Sequence, residues 1–500
     1  MLPLVRRIPS AWIAFTLALI IYSLAAGPTL TRQSIAPHYV YLADAMLHGR
    51  LDLVQTPTTY DLLVVDGRAY VAGSPMPAIL LMPFVAVFGV GVSDILFGIV
   101  VGALNVVLVH DLAGRLEMLS ARIPVEDTRS TAETLRADAT ARTRWPSSHT
   151  WWLTLLFAFG TPHLYLATLG SVWFNAHIAA IFFGLLAVRE ALGQSGDFRR
   201  PVLGERRWFV AGAWLACAGF ARPTMLFGSL FCVVLIWLTH DRRDRIRSLA
   251  SLAAAIGLGI AAHGLYNAAR FGSPTDFGYQ YTAGARNITS TYARYGGFNP
   301  RFLPCNLFVS ILNPPEVNGY VPPITYDVCS YLLDGVNLSD TSAFIAPNPL
   351  GMSLFLVTPA FVLLFAARRR DPFSLAAWAA LLATMIPLWM YHNTGSLQFG
   401  YRYWMDAAPM WLLLLSDVFA RRGCVPQGGF ALTPDFSPDA GPSGHRLDGS
   451  KTLRTLKGVP GLRTFARVLL LASIAINVWG FLWMFEKFVG VTWFEVMRGG

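Results

Sequence analysis

VLLLASIAINVWGFLWMF, residues Val468–Phe485, runs for eighteen residues without a charge. As a helix it would rise about 27 Å, close to the roughly 30 Å hydrocarbon core of a bilayer. Ala11–Gly27, Leu350–Ala366 and Ser374–Tyr391 read the same way. The composition agrees with a membrane solvent. Of the 500 residues 54% are apolar and 14% are charged, against about 25% charged in soluble domains. A chain this apolar would present large greasy patches to water, and a bilayer removes that penalty.

The reading is an all-α polytopic membrane protein with about 11 transmembrane helices, near 11–27, 94–112, 150–168, 174–190, 208–221, 224–239, 249–267, 350–366, 373–391, 404–419 and 466–485. The net charge of +10 would suggest nucleic acid in a soluble protein. Here it sets orientation instead, and no nucleic acid is expected. With the N-terminus cytoplasmic, the inner segments and their flanks hold 28 of the 39 Arg and Lys, as the positive-inside rule requires. Met1–Gly27 has basic Arg6 and Arg7 but no clear cleavage site, so it reads as a retained first span. Met76–Val90 is apolar but short. Counting it as a span would move Arg199, Arg200, Arg206, Arg207 and Arg368–Arg370 outside. It therefore reads as an interfacial helix, bent by Pro75, Pro77 and Pro83.

This divides the chain into a transmembrane module 1–420 with long outer loops 28–93 and 268–349, a flexible cytoplasmic loop 421–464, and a last helix with an outer tail, 465–500. The inner loop 113–149 reads as a solvated helix. Cys217 and Cys232 fall in apolar runs and Cys424 in a basic one, while Cys305 and Cys329 share an outer loop and can pair in an oxidising compartment. No metal-type Cys/His spacing is present.

Polar residues cluster at the expected outer ends of the spans. His38 to Arg50 suits a helix in the membrane surface, closed by Gly49. Asp44, Asp52 and Asp61 are carboxylates near the bilayer surface, where a base for an acceptor hydroxyl would be needed; the competing role is loop solvation. Asn175 and His177 stand in Gly170–His177, at the start of an apolar helix, where the alternative is N-capping beside an interfacial Trp. Gln398 to Asp406 opens the tenth span. There Arg402 is a fixed cation at a helix start, suited to phosphate, with Tyr401 beside it and Asp406 placed to pair with it one turn on. An aromatic belt is the plain alternative. Asp276 to Tyr281 echoes that stretch. Arg222, in Ala221-Arg222-Pro223, interrupts an apolar run; it either serves a site or snorkels.

Taken together, His38 to Asp52, Asp61 to Pro77, Gly170 to His177, Ala221-Arg222-Pro223, Phe271 to Pro274 and Gln398 to Tyr403 resemble the GT-C membrane glycosyltransferases. The likeness is to the bacterial branch related to protein O-mannosyltransferases and aminoarabinose transferases. It extends over most of the chain in short motifs. It implies horizontal helices and catalytic acids in the first outer loop, and a polyprenyl-phosphate-linked sugar donor. The acid pair many relatives carry after the first span would fall at Ile35 and Ala36, neither acidic.

The expectation is a glycosyltransferase of the cell envelope, in the bacterial inner membrane, moving a sugar from a lipid-linked donor to a glycan, lipid or protein acceptor. Arg402, Arg222 and Tyr401 would hold the donor phosphate. Asp44, Asp52 or Asp61 would be the base, with His38, Asn175, His177 and Gln398 around them. No cofactor is assigned, and a divalent metal is compatible with the chemistry. The rivals are a transporter or flippase and a non-catalytic binder of a lipid-linked intermediate. Few charges lie within the spans, which disfavours a transporter.

Overall fold

The computed structural model describes residues 9–121, 148–193, 204–284, 286–333, 343–367, 372–395, 397–421 and 460–497. Most of the expected inner segments 113–149 and 421–464, with Cys424, Arg199, Arg200 and Arg368–Arg370, lie outside the described residues.

Helices dominate. Among the described residues six are long and apolar enough to cross a membrane: Ser10–Thr31, Asp94–Glu117, Val172–Leu192, Arg242–Phe271, Pro372–Trp389 and Thr464–Val489. Their flanks expose large apolar side chains, including Trp12, Leu24, Leu258, Leu265, Val468 and Leu471. In water that pattern would cost free energy; against lipid it does not.

The other five expected spans are shorter or broken. The segment 150–168 divides into Ser148–Phe159 and His163–Thr168, because Gly160 and Pro162 interrupt the ladder. The segment 208–221 is the 16-residue helix Gly204–Gly219. The next opens as a 3-10 turn, Pro223–Gly228, before Ser229–Thr239. The segment 350–366 divides into Leu354–Val357 and the 3-10 helix Pro359–Ala366. The tenth opens as a 3-10 helix, Arg402–Ala407, before Ala408–Arg421.

Breaks in apolar helices free backbone groups that must find partners. They find them in each other. The Thr358 hydroxyl donates to Gly160 O at 2.9 Å. Asn477 donates to Val357 O at 2.8 Å, and the Ser473 hydroxyl accepts from Ala360 N at 3.2 Å.

Contacts at the helix termini define two ends of the bundle. At one, Ser10 meets His110, Trp152 donates to Ala466 O, and Arg189 joins Asp111. At the other, Trp493 donates to Ala25 O, Asn175 donates to Asp94 O, and Phe174 lies 4.9 Å from Phe488 between ring centroids. Both long loops join this second end.

The first loop opens with the helix His38–Leu47. Gly49 closes it at φ +72°, with Arg50 N bonded to Ala45 O at 2.8 Å, the Gly-closed ending expected. Met76–Phe88 is a 13-residue helix that starts after Pro75 and contains Pro83. Between them stands a feature absent from the all-α expectation. β1 (Leu62–Val65) pairs antiparallel with β2 (Arg68–Val71) through Asp66 and Gly67, both at positive φ, as a two-residue hairpin turn demands. β3 (Thr282–Ala283), from the second loop, adds to β1 and ties the two loops together. A second pair joins β4 (Glu316–Val317) to β5 (Ile345–Ala346). Cys305 and Cys329 form a disulfide, with Cα atoms 4.9 Å apart.

Candidate active site at the loop end of the bundle

The site begins with a sharp turn. Gly170 and Ser171 both take positive φ, 65° and 84°, so the chain reverses between two helices. Asp94 holds this turn in place. Its carboxylate accepts from Ser34 N, the Ser34 hydroxyl and Ser171 N, while its carbonyl accepts from Asn175. Asn175 is therefore a brace between helices, and no side chain caps the helix that follows.

His177, in the second turn of that helix, is fully buried. Its Nδ1 donates to Asp406 Oδ1 at 2.8 Å. That bond fixes the tautomer and leaves Nε2 as an acceptor, buried and without a partner. The other oxygen of Asp406 accepts from Arg222 Nε and from the Thr224 hydroxyl, each at 2.9 Å. The expected pairing of Asp406 with Arg402 is corrected. In the 3-10 turn Arg402–Ala407 residues four apart are not stacked as in an α-helix, and Asp406 points to Arg222 and His177.

Arg402 is left as a charge in reserve. It is 7% exposed, its Nε is buried without a partner, and no carboxylate among the described residues lies within ion-pair distance. Its guanidinium faces the rings of Phe174 and Tyr403, with Cζ at 5.8 and 5.6 Å from the centroids. Arg222 approaches the same Tyr403 ring at 5.4 Å. Two guanidinium groups thus share one aromatic wall. An unpaired buried cation is costly, and an anion against it would offset that cost.

Tyr401 and Gln398 turn out to build the loop instead. The Tyr401 hydroxyl donates to Leu388 O at 3.1 Å and meets Asn306. It is already used, and the expected phosphate role is corrected to bracing. Gln398 donates to Leu350 O and Thr394 O and accepts from Arg402 N, which positions the arginine backbone.

The three candidate bases separate clearly. Asp44 faces His48, an exposed side chain, at 3.5 Å. Asp52 makes no side-chain hydrogen bond or ion pair among the described residues. Asp61 alone reaches the cluster. It takes φ +64° at the entrance to β1, a left-handed conformation an aspartate tolerates better than most residues. Its N bonds Ala283 O at 2.7 Å, and its Oδ2 accepts from Trp173 Nε1 at 2.6 Å. His38 supports this segment, with Nε2 at 2.9 Å from Tyr60 O. Burial holds the imidazole below its usual range.

Tyr279 links the two walls. It is within electrostatic reach of both Arg222 and Asp61, hydrogen-bonds Tyr391, and its phenol is pushed up by burial. Thr224, Tyr279 and Tyr391 escaped sequence reasoning. The echo between Asp276–Tyr281 and Gln398–Tyr403 was the available signal, since Gly278 and Gly400 both take left-handed φ before a tyrosine. Among the described residues no three His, Cys, Asp or Glu side chains gather as a metal site; the fixed cations are guanidinium groups. Comparison with family models, curated proteins and solved structures returns no match.

Proposed function

We propose that the chain is a membrane glycosyltransferase that moves a sugar from a polyprenyl-phosphate-linked donor to an acceptor on the outer face of the membrane. The observation that carries this is Arg402: a buried guanidinium with no carboxylate beside it, at the ends of apolar helices, with a carboxylate, Asp61, in a loop of the same end. The lipid chain would lie along the helices and its phosphate against Arg402 and Arg222, which offer planar, multidentate donors. Asp61 would accept the proton of the acceptor hydroxyl. The acceptor oxygen then bonds the anomeric carbon, the carbon–oxygen bond to phosphate breaks, and the lipid phosphate keeps the electron pair, stabilised by the guanidinium groups.

Supporting the orientation, the two long loops, the disulfide and the site share one end of the bundle, whereas Arg115, Arg189 and Arg207 are described at the other. We place the N-terminus in the cytoplasm of a bacterium, the chain crossing the inner membrane eleven times, with five crossings made by short or broken helices. The soft likeness to GT-C transferases supports the same reading. A carrier or flippase would need Arg402 but not Asp61.

The test is binding of undecaprenyl phosphate to the purified protein in lipid nanodiscs. Arg402→Lys keeps the charge but loses the fork, and is expected to weaken binding by about tenfold. Equal binding by the wild type and Arg402→Lys would sink the assignment.

A further inference from the structure

Beyond Arg402 and the partly exposed Arg222, the loop end holds a third guanidinium, and this one is buried. Arg270, in the last turn of Arg242–Phe271, is 6% exposed. Its two terminal nitrogens donate to neutral acceptors, Val71 O and Asn267 Oδ1, both at 2.9 Å. Its Nε has no partner. Its Cζ lies 3.9 Å from the ring centroid of Tyr266.

Two hydroxyls beside it are in the same condition. Tyr39 and Tyr266 are buried, and neither hydroxyl has a partner. The Tyr39 hydroxyl projects past the backbone of Gly73, where any side chain would collide with it. It lies within electrostatic reach of Tyr266, Arg222, Tyr279 and Arg270. The Tyr39 hydroxyl is thus within electrostatic reach of two guanidinium groups, Arg222 and Arg270. A strut from the helix end to β2 would account for the terminal nitrogens of Arg270. It would not account for three neighbouring buried donors left unmade, since such groups are nearly always satisfied.

We propose that Arg270, Tyr39 and Tyr266 form a second phosphoryl-binding subsite next to the one at Arg402 and Arg222. The three unmade donors suit a group rich in anionic oxygens. Two sources supply that chemistry: a second phosphoryl group on the donor lipid, or a phosphoryl group on a separate molecule bound at the same time. The inference rests on the proposed lipid-phosphate site and extends it.

The experiment uses the full chain in nanodiscs with three probes: farnesyl phosphate, farnesyl diphosphate and inorganic phosphate. If the second group is on the donor, farnesyl diphosphate binds about tenfold more tightly than farnesyl phosphate. If it is separate, inorganic phosphate binds in the presence of farnesyl phosphate. In either case Arg270→Gln abolishes the added affinity and leaves farnesyl phosphate binding unchanged. Because Arg270 also holds β2, Tyr39→Phe is run beside it. That change removes an oxygen that makes no protein hydrogen bond, and is expected to lose part of the same increment. The proposal is overturned if the two lipids bind equally and free phosphate does not bind. It is overturned equally if Tyr39→Phe and Arg270→Gln change nothing, which would leave ordered water as the partner of these groups. Failure of farnesyl phosphate itself to bind wild type would instead strike the Arg402 reading.

Discussion

His177 and Asp406, 229 residues apart in sequence, meet at 2.8 Å with neither side chain exposed. The contact joins the second turn of one apolar helix to the 3-10 start of another, and Arg222 closes it from a third. A charge in such a place is tolerable only with its partners. Asp406→Asn leaves Arg222, 18% exposed, without its counter-charge, and we expect a loss of up to about 3 kcal/mol. The midpoint of thermal unfolding in detergent should fall markedly. The double variant Arg222→Gln/Asp406→Asn should recover part of the loss, because neither charge is then stranded. A single variant as stable as wild type would show that the cluster carries no structural weight.

The disulfide between Cys305 and Cys329 closes a 24-residue separation in the second loop. Replacing both by Ser should cost of order 3 kcal/mol through the freer unfolded loop. Non-reducing mass mapping should show the bond in protein from native membranes. Two free thiols there would place this loop in a reducing compartment and reverse the orientation.

His392, beyond the helix Pro372–Trp389, is 4% exposed, and burial lowers its imidazole to about 4. Burial also lowers the His38 imidazole from its ordinary value. A histidine held neutral in the folded state binds fewer protons than in the unfolded chain. Stability contributed by neutrality is thus complete above the unfolded value near 6.5 and is lost as the pH falls towards 4. His392 should cost at most about 1.4 kcal/mol per pH unit in that window. His392→Asn should flatten the fall in melting temperature between pH 6.5 and 4.5. An unchanged slope would remove His392 as the cause.

Much of this was readable in advance, and the failures share a cause. Apolar runs marked the six helices of spanning length, because a bilayer demands length and hydropathy that a sequence displays directly. They did not mark where Pro359 or Gly160 would break a run, since the repair comes from Asn477 and Thr358 far along the chain. Asp66-Gly67 between apolar pairs is a local hairpin signal for β1 and β2, whereas the third strand, β3, comes from another loop and has no local signal. In the site, Arg402, Arg222 and His177 stood out as polar groups in apolar surroundings, while Asp61 was one of three loop carboxylates. Their pairing did not, because i,i+4 logic assumes an α-helix and residues 402–407 are 3-10. Tyr39 and Arg270 were invisible for a different reason: an aromatic or basic residue at a helix end is ordinary until its neighbours are known.

Orientation can be checked with single cysteines. Tyr320, in the second long loop, and Arg243, at the other end of the bundle, are both exposed. Starting from a variant without Cys217, Cys232 and Cys424, a membrane-impermeant maleimide added to intact cells should label Tyr320→Cys and spare Arg243→Cys. The opposite pattern would overturn both the orientation and the interfacial reading of Met76–Val90.

Asp61 is the sharpest case, because three carboxylates with equal standing in the sequence have unequal standing in the structure. Asp44 is engaged with an exposed histidine, Asp52 has no side-chain partner among the described residues, and Asp61 receives Trp173 Nε1 while sharing Tyr279 with Arg222. Trp173 donates to only one carboxylate oxygen, which leaves Oδ1 to accept a proton from an acceptor. Asp61→Asn preserves size and can still accept from Trp173, so the turn into β1 should persist. Transfer from a polyprenyl-phosphate-linked sugar, followed as glycan release or incorporation in membranes, should nevertheless fall by about 100-fold or more. Asp44→Asn removes an exposed pair of at most about 1 kcal/mol and should leave the rate near wild type, as should Asp52→Asn. Binding of undecaprenyl phosphate should be unchanged in all three, because the phosphate is held by Arg402 and Arg222. If Asp61→Asn keeps full activity, the base is elsewhere, and the unpartnered Nε2 of His177 becomes the group to replace next. If instead all three variants bind the lipid normally and wild type transfers nothing, the chain is a carrier for the lipid-linked intermediate and Asp61 serves only to seat the hairpin.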